Sequence, residues 1–204
     1  MRKYLSLAAL SFLVSCGGGG SDGYKAFDSV TVTLSSIEPQ LVQADVINLV
    51  KDQNTNQCYP VADADTVTIK LRSDTIKDAS GKPITNNPSP VYVYRYRVTF
   101  IPQNPSQNPC ENNPPCRQTL AQGIDASLSI TLLPDSELTY QGIAVTLADW
   151  DNGPVRTVCS SAGGCYYTAR IELYVREVLS GREKVLSGSV TVDFADYADP
   201  GCPP

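Results

Sequence analysis

The sequence predicts an all-β fold, an antiparallel β-sandwich of about eight strands with disulfide-stapled loops. Three observations carry that expectation. Apolar and polar residues alternate at period two through most of the chain. Clusters of Gly, Pro, Asn and Asp punctuate the runs, and no long helical pattern interrupts them. The cysteines, seven in all, accompany an amino terminus that reads as an export signal, which predicts bridged thiols among the loops.

The strands follow in order. Val30, Val32 and Leu34 alternate with Thr31 and Thr33. Residues 41–50 suit a strand or a helical face almost equally, through Leu41, Val42, Val46, Ile47, Leu49 and Val50; they are counted as a strand. Val67, Ile69 and Leu71 form the next inward face. Over Val91–Ile101 the alternation puts Tyr92, Tyr94, Tyr96, Val98 and Phe100 on one side, read as core, and Arg95, Arg97 and Thr99 on the other. Leu128, Ile130 and Leu132 come next, then Ile143, Val145 and Leu147. Ile171, Leu173 and Val175 lead through a Ser180-Gly181 turn to Val190, Val192 and Phe194.

This number and spacing of strands resembles the immunoglobulin-like or fibronectin-type sandwich. The resemblance is one of architecture. The Cys…Trp…Cys pattern of true immunoglobulin domains is missing, and Trp150 stands at a strand end.

Met1-Arg2-Lys3 precedes an apolar stretch from Tyr4 to Val14, then Leu13-Val14-Ser15-Cys16. A basic start, a short apolar segment and a small residue before the cut describe a secretory signal peptide over residues 1–15. The stretch is too short to span a bilayer, which takes ~20 apolar residues. Leu13-Val14-Ser15-Cys16 resembles the lipobox of bacterial lipoproteins. That resemblance implies cleavage before Cys16, diacylglyceryl on its thiol and usually an acyl group (typically palmitate) on its amine. More than one chain makes membrane anchoring stable where one is marginal. Gly17 replaces the Asp that often retains such proteins at the inner membrane, so the resemblance points to a cell outer membrane where the host has two. Residues 16–27 read as a glycine-rich tether with a coil reach of roughly 18 Å, and residues 28–204 as a single domain.

Without Cys16, six cysteines remain. Six allow fifteen pairings. Cys110/Cys116 and Cys159/Cys165 are close in sequence and enclose residues that bend, which leaves Cys58 for Cys202. If every connection reverses the chain, the loops holding Cys58, Cys110/Cys116 and Cys159/Cys165, the Cys202 tail and the tether all fall at one pole. The Ser180-Gly181 turn then lies at the other. The segment from Gln103 to Cys116 is read as a proline-rich loop too poor in apolar residues to pack.

Composition bounds function. Removing residues 1–15 takes away Arg2 and Lys3 and no acid, leaving 14 basic against 21 acidic residues, a formal charge of −7. An acidic chain without a basic stretch has no electrostatic footprint for nucleic acid. There is no His, hence no imidazole acid–base chemistry and no Ser-His or Cys-His nucleophile, and no P-loop or G-x-S-x-G. The reading is that of a non-enzymatic, membrane-anchored protein. Its domain acts as a structural or protein-interaction module with an envelope or surface protein partner. The alternative is a ligand-binding module at the stapled pole. Tyr166 and Tyr167 are placed there for a glycan. Ala148-Asp149-Trp150-Asp151-Asn152-Gly153 resembles the start of a calcium loop, with Asp149 and Asp151 as oxygen ligands. No other cofactor is implied.

Overall fold

The structure is a computed structural model that describes residues 27–61, 64–146, 153–199 and 201–202. In chain order the elements are β1 (Val30–Glu38), β2 (Leu41–Asp45), β3 (Leu49–Lys51), β4 (Cys58–Pro60), β5 (Ala64–Thr75) and β6 (Val91–Pro102). Then come α1 (Pro114–Ala121), β7 (Ile124–Leu132), β8 (Ser136–Thr146), α2 (Pro154–Ser161), β9 (Cys165–Glu177) and β10 (Glu183–Ala195). Strands make up 55% and helix 10%, so the fold is mostly β.

One sheet has the order β1-β5-β8, all antiparallel. A second has the order β2-β10-β9-β6-β7, antiparallel except for the parallel pair β2–β10, and it curls into a half-barrel. β3 and β4 form a small hairpin. Val30, Val32, Ile69 and Leu71 of the first sheet share one core with Tyr96, Val98, Ile171, Leu173, Val192 and Phe194 of the second. Each such side chain stabilises the fold by roughly 1.5–3 kcal/mol on burial.

The registers define two poles. Val91, Leu132 and Glu177 are neighbours at one end of the larger sheet, while Tyr167, Ile124 and Phe194 lie toward the other. Ser180-Gly181 belongs to the first pole, and the cysteine segments belong to the second. The tether placement is the exception. Phe27 is buried, and the backbone N–H groups of Asp28 and Ser29 donate to the Glu177 carboxylate, both at 2.9 Å. The chain therefore enters beside Ser180-Gly181, opposite the stapled loops. The end beside Ser180-Gly181 is thus the N-terminal pole.

The cause is the first connection. Residues 35–40 do not reverse the chain. Glu38-Pro39-Gln40 moves it from the first sheet to the second while it keeps its direction. Lys184 Nζ donates to Val32 O at 3.3 Å, and Thr191 N donates to Gln40 O at 2.8 Å, so β1 and β2 both run alongside β10. Proline has no N–H to continue a ladder, which suits a residue where pairing changes partner. Residues 41–50 are not one strand: β2 ends at Asp45 and β3 begins at Leu49.

Two bulges move side chains across faces. Register shifts between Val93 and Arg95, so Val91 and Val93 are buried, then Tyr96, Val98 and Phe100. Tyr92 and Tyr94 thus leave the face expected for them, because one extra residue inverts the alternation beyond it. In β8 the residues Gly142, Ala144 and Val145 turn inward, and Ile143 is exposed opposite the shift at Asp65/Thr66.

The proline-rich segment also differs from expectation, because it folds and packs. Asn113 caps α1 by accepting from Cys116 N at 3.1 Å, and Pro114 occupies the first turn, where a missing N–H costs nothing. Cys116 and Leu120, four apart, face inward. α2 likewise begins at a proline, Pro154, here after Gly153, which supplies no side-chain cap, and buries Val155 and Cys159.

Candidate binding surface at the stapled pole

The three disulfides are those expected from spacing. Cα atoms are 5.9 Å apart in Cys58–Cys202, 5.2 Å in Cys110–Cys116 and 5.3 Å in Cys159–Cys165. All gather at one pole. The sulfurs of Cys110, Cys116 and Cys159 lie within 4.8 Å of one another, so the two short staples pack together where α1 meets α2. Each sulfur is already in a disulfide, and none offers a thiolate to a metal.

Beside the short staples lies a cleft of about 380 Å³, lined by Gln103, Asn104, Gln107 and Asn108 on one side and Gly163, Gly164 and Tyr166 on the other. Its walls are held by backbone pairing. Gln103 N donates to Tyr166 O at 3.0 Å, and Asn108 Nδ2 reaches the same oxygen at 2.9 Å. Asn108 Oδ1 accepts from Cys110 N at 3.0 Å, which joins the cleft to the first staple. Gly164, at φ +123, needs its missing side chain, since a Cβ would stand 2.9 Å from Asp193 Oδ1. Among the described residues that oxygen is buried without a hydrogen-bond partner, whereas Oδ2 accepts from the Tyr197 hydroxyl at 2.7 Å.

The two tyrosines expected to meet a ligand part company. Tyr166 is 49% exposed at the cleft, and its phenol is pushed up by the Asp193 carboxylate beside it. Tyr167 is buried, edge-on to Phe100 and Phe194, with its hydroxyl donating to Glu111 Oε1 at 2.9 Å. Period two requires this split, because adjacent strand residues face opposite sides. Tyr167 is core and, contrary to expectation, presents no ring surface to a ligand. Asp149 and Asp151 lie outside the described residues. Other acids of this pole cap backbone: Asp199 accepts from Leu49 N and Asp45 from Ile47 N. Burial, with help from Asp199 and Asp196, pushes the Asp45 carboxyl up.

Two further features were missed from sequence. Tyr94 and Tyr174 pack on the outer sheet face at 6.2 Å. Arg95 lies over the Tyr174 ring at 5.2 Å, and Arg176 over that of Tyr94 at 5.8 Å. Arg95 and Arg97 also hold Asp125, whose carboxyl is lowered to about 2, chiefly by the Arg95 hydrogen bond. The bulge hides this face from a simple alternation reading. The second is Glu177, fully buried at the N-terminal pole. It continues the inward parity of Ile171, Leu173 and Val175, and that signal was available in the sequence.

Among the described residues no helix is long and apolar enough to cross a membrane. No protein-family model, no curated protein and no solved structure matches this chain.

Proposed function

We propose that this chain is an envelope lipoprotein, anchored by lipid on Cys16, whose extracytoplasmic β domain is a non-enzymatic structural or protein-interaction module. One observation carries the module's orientation: the chain enters the fold at the pole opposite the stapled loops. An anchor eleven residues before Phe27 then leaves the stapled pole directed away from the bilayer. An end stapled by three disulfides and carrying a polar cleft suits recognition, since preorganisation lowers the ordering cost of binding. Gly17 favours the outer membrane in a two-membrane host.

The architecture is read as a variant of the immunoglobulin-like sandwich, supported by a single core shared between the two larger sheets. The half-barrel curl and the parallel β2–β10 edge depart from that pattern.

The test is fractionation of cells producing the Cys16→Ser chain. Release from the membrane fraction, or retention of an uncleaved leader, supports the anchor. An unchanged detergent-requiring product refutes it. A second reading, a glycan-binding module, is favoured by the exposed Tyr166 ring beside four side-chain amides. Binding to the native state raises the melting temperature. Melts with a glycan panel, calcium or EDTA that all coincide would dismiss that reading.

A further inference from the structure

We propose that the N-terminal pole is a membrane-seating surface, resting its apolar rim on the lipid headgroup region; this rests on the lipoprotein reading above. Among the described residues, four large apolar side chains are more than half exposed. They are Ile84 at 52%, Leu133 at 59%, Val178 at 52% and Leu179 at 66%. All four are aliphatic and all four lie at this one pole. Other exposed large hydrophobic residues, such as Leu41 and Tyr166, fall below half.

Their placement follows from the strand ends. Val91 pairs with both Leu132 and Glu177, so the next residues, Leu133 and Val178, flank the start of β6. Val178 N donates to Pro90 O at 2.9 Å, and Leu179 N donates to Ser89 Oγ at 2.9 Å. These bonds hold the turn rigid with its side chains outward. Leu179 shares a cleft with Thr85, which brings the Ile84 segment to the same rim. Scattered exposed apolar residues need no explanation, but a cluster at one end of a molecule marks a contact surface.

The chain itself brings the occupant to this pole. Phe27 and Asp28 join the fold at this pole, so everything before them, Cys16 included, issues from it. With a tether reach of roughly 18 Å, a bilayer holding the lipid of Cys16 is the nearest large surface to these side chains. The charges there largely answer one another. Arg182 pairs with Asp28, and Arg72 with Asp74 at 2.9 Å, so anionic headgroups meet little net repulsion at the rim itself.

The experiment is hydroxyl-radical footprinting of the full lipidated chain, free in detergent-depleted solution and in vesicles of phosphatidylethanolamine and phosphatidylglycerol. Oxidation of Leu133 and Leu179 should fall several-fold on vesicles, with Tyr166 and Tyr59 unchanged. In the double variant Leu133→Ser, Leu179→Ser, which changes exposed positions only, Val178 should regain its solution-level labelling on vesicles. Unchanged labelling of the rim, with the chain still vesicle-bound through Cys16, overturns the seating and leaves the anchor standing. A mature chain whose Cys16 carries no acyl group overturns both. Protection in native envelope membranes but not in protein-free vesicles would make the occupant a protein and overturn the lipid assignment.

Discussion

Glu177 Oε1 accepts two hydrogen bonds from Ser29 across 148 residues of sequence, from its backbone N–H at 2.9 Å and its hydroxyl at 2.6 Å. Oε2 accepts from Asp28 N at 2.9 Å and from the Ser180 hydroxyl. One buried carboxylate thus fastens the incoming chain to the β9–β10 turn. Burial pushes its carboxyl up, but the hydrogen bonds from Ser180, Ser29 and Asp28 outweigh it and hold it below the ordinary range.

Glu177→Gln should cost about 2 kcal/mol, the scale of hydrogen bonds to a charged acceptor. A lowered folded value means the stabilisation is complete above the unfolded carboxyl's pKa of ~4.3 and fades as pH falls through the lower folded value. Urea unfolding across that range should show a steeper acid limb for the native chain than for Glu177→Gln. Parallel limbs would show that Glu177 carries no such linkage.

Reduction should proceed in order. Cys110, Cys116, Cys159 and Cys165 are fully buried, while Cys58 and Cys202 are partly exposed. Thiol–disulfide exchange needs access to sulfur. Mild reductant followed by alkylation should label Cys58 and Cys202 first, with the short staples opening only on unfolding. Early label at Cys110 or Cys159 would contradict the packing of the two helices.

Gly123 links α1 to β7 at φ +59, and a Cβ there would stand 2.3 Å from Val98 O. The obstacle is backbone, so it cannot swing aside. Gly123→Ala should destabilise by more than ~2 kcal/mol, strain and clash combined. A melting temperature within error of the parent's would refute the connection as described.

Burial drives the phenols of Tyr96, Tyr167 and Tyr197 far above the ordinary range. In a titration read by phenolate absorbance, these three should stay neutral well beyond the pH of an ordinary phenol's ionisation, ~10. A raised folded value means stability is complete below the unfolded pKa and is lost as pH climbs above it, so the last phenolates should appear together with unfolding. A single smooth titration of every tyrosine in the folded chain would contradict the core.

The regions legible from sequence were those where local pattern decides alone. Ile171, Leu173 and Val175 alternate without interruption, and their burial follows. The disulfide pairs were legible because two pairs are local and the third is their remainder. Tyr92 and Tyr94 were misassigned because a bulge is one residue of register and leaves no mark in composition. The direction of β2 was equally hidden: a Pro39-Gln40 step serves a hairpin or a change of sheet, and only contacts with β10 select the second. Cys116–Leu120 and Val155–Cys159 carry helical spacing, but over a single turn, too short to stand out among prolines. Of the candidate site, Tyr166 was readable from its neighbourhood. The cleft opposite it was not, because it depends on Asn108 reaching back 58 residues to the Tyr166 carbonyl.

The proposed lipid anchor at Cys16 would hold the N-terminal pole toward the membrane and the stapled pole away. The direct measurement is energy transfer from a fluorescent amino acid to an acceptor dye in the membrane plane, with the lipidated chain on vesicles. One donor replaces Ser80, in the exposed turn after β5, and another replaces Asn104, beside the staples. Transfer should be clearly stronger from position 80 than from position 104. Equal transfer, or stronger transfer from position 104, would contradict this orientation.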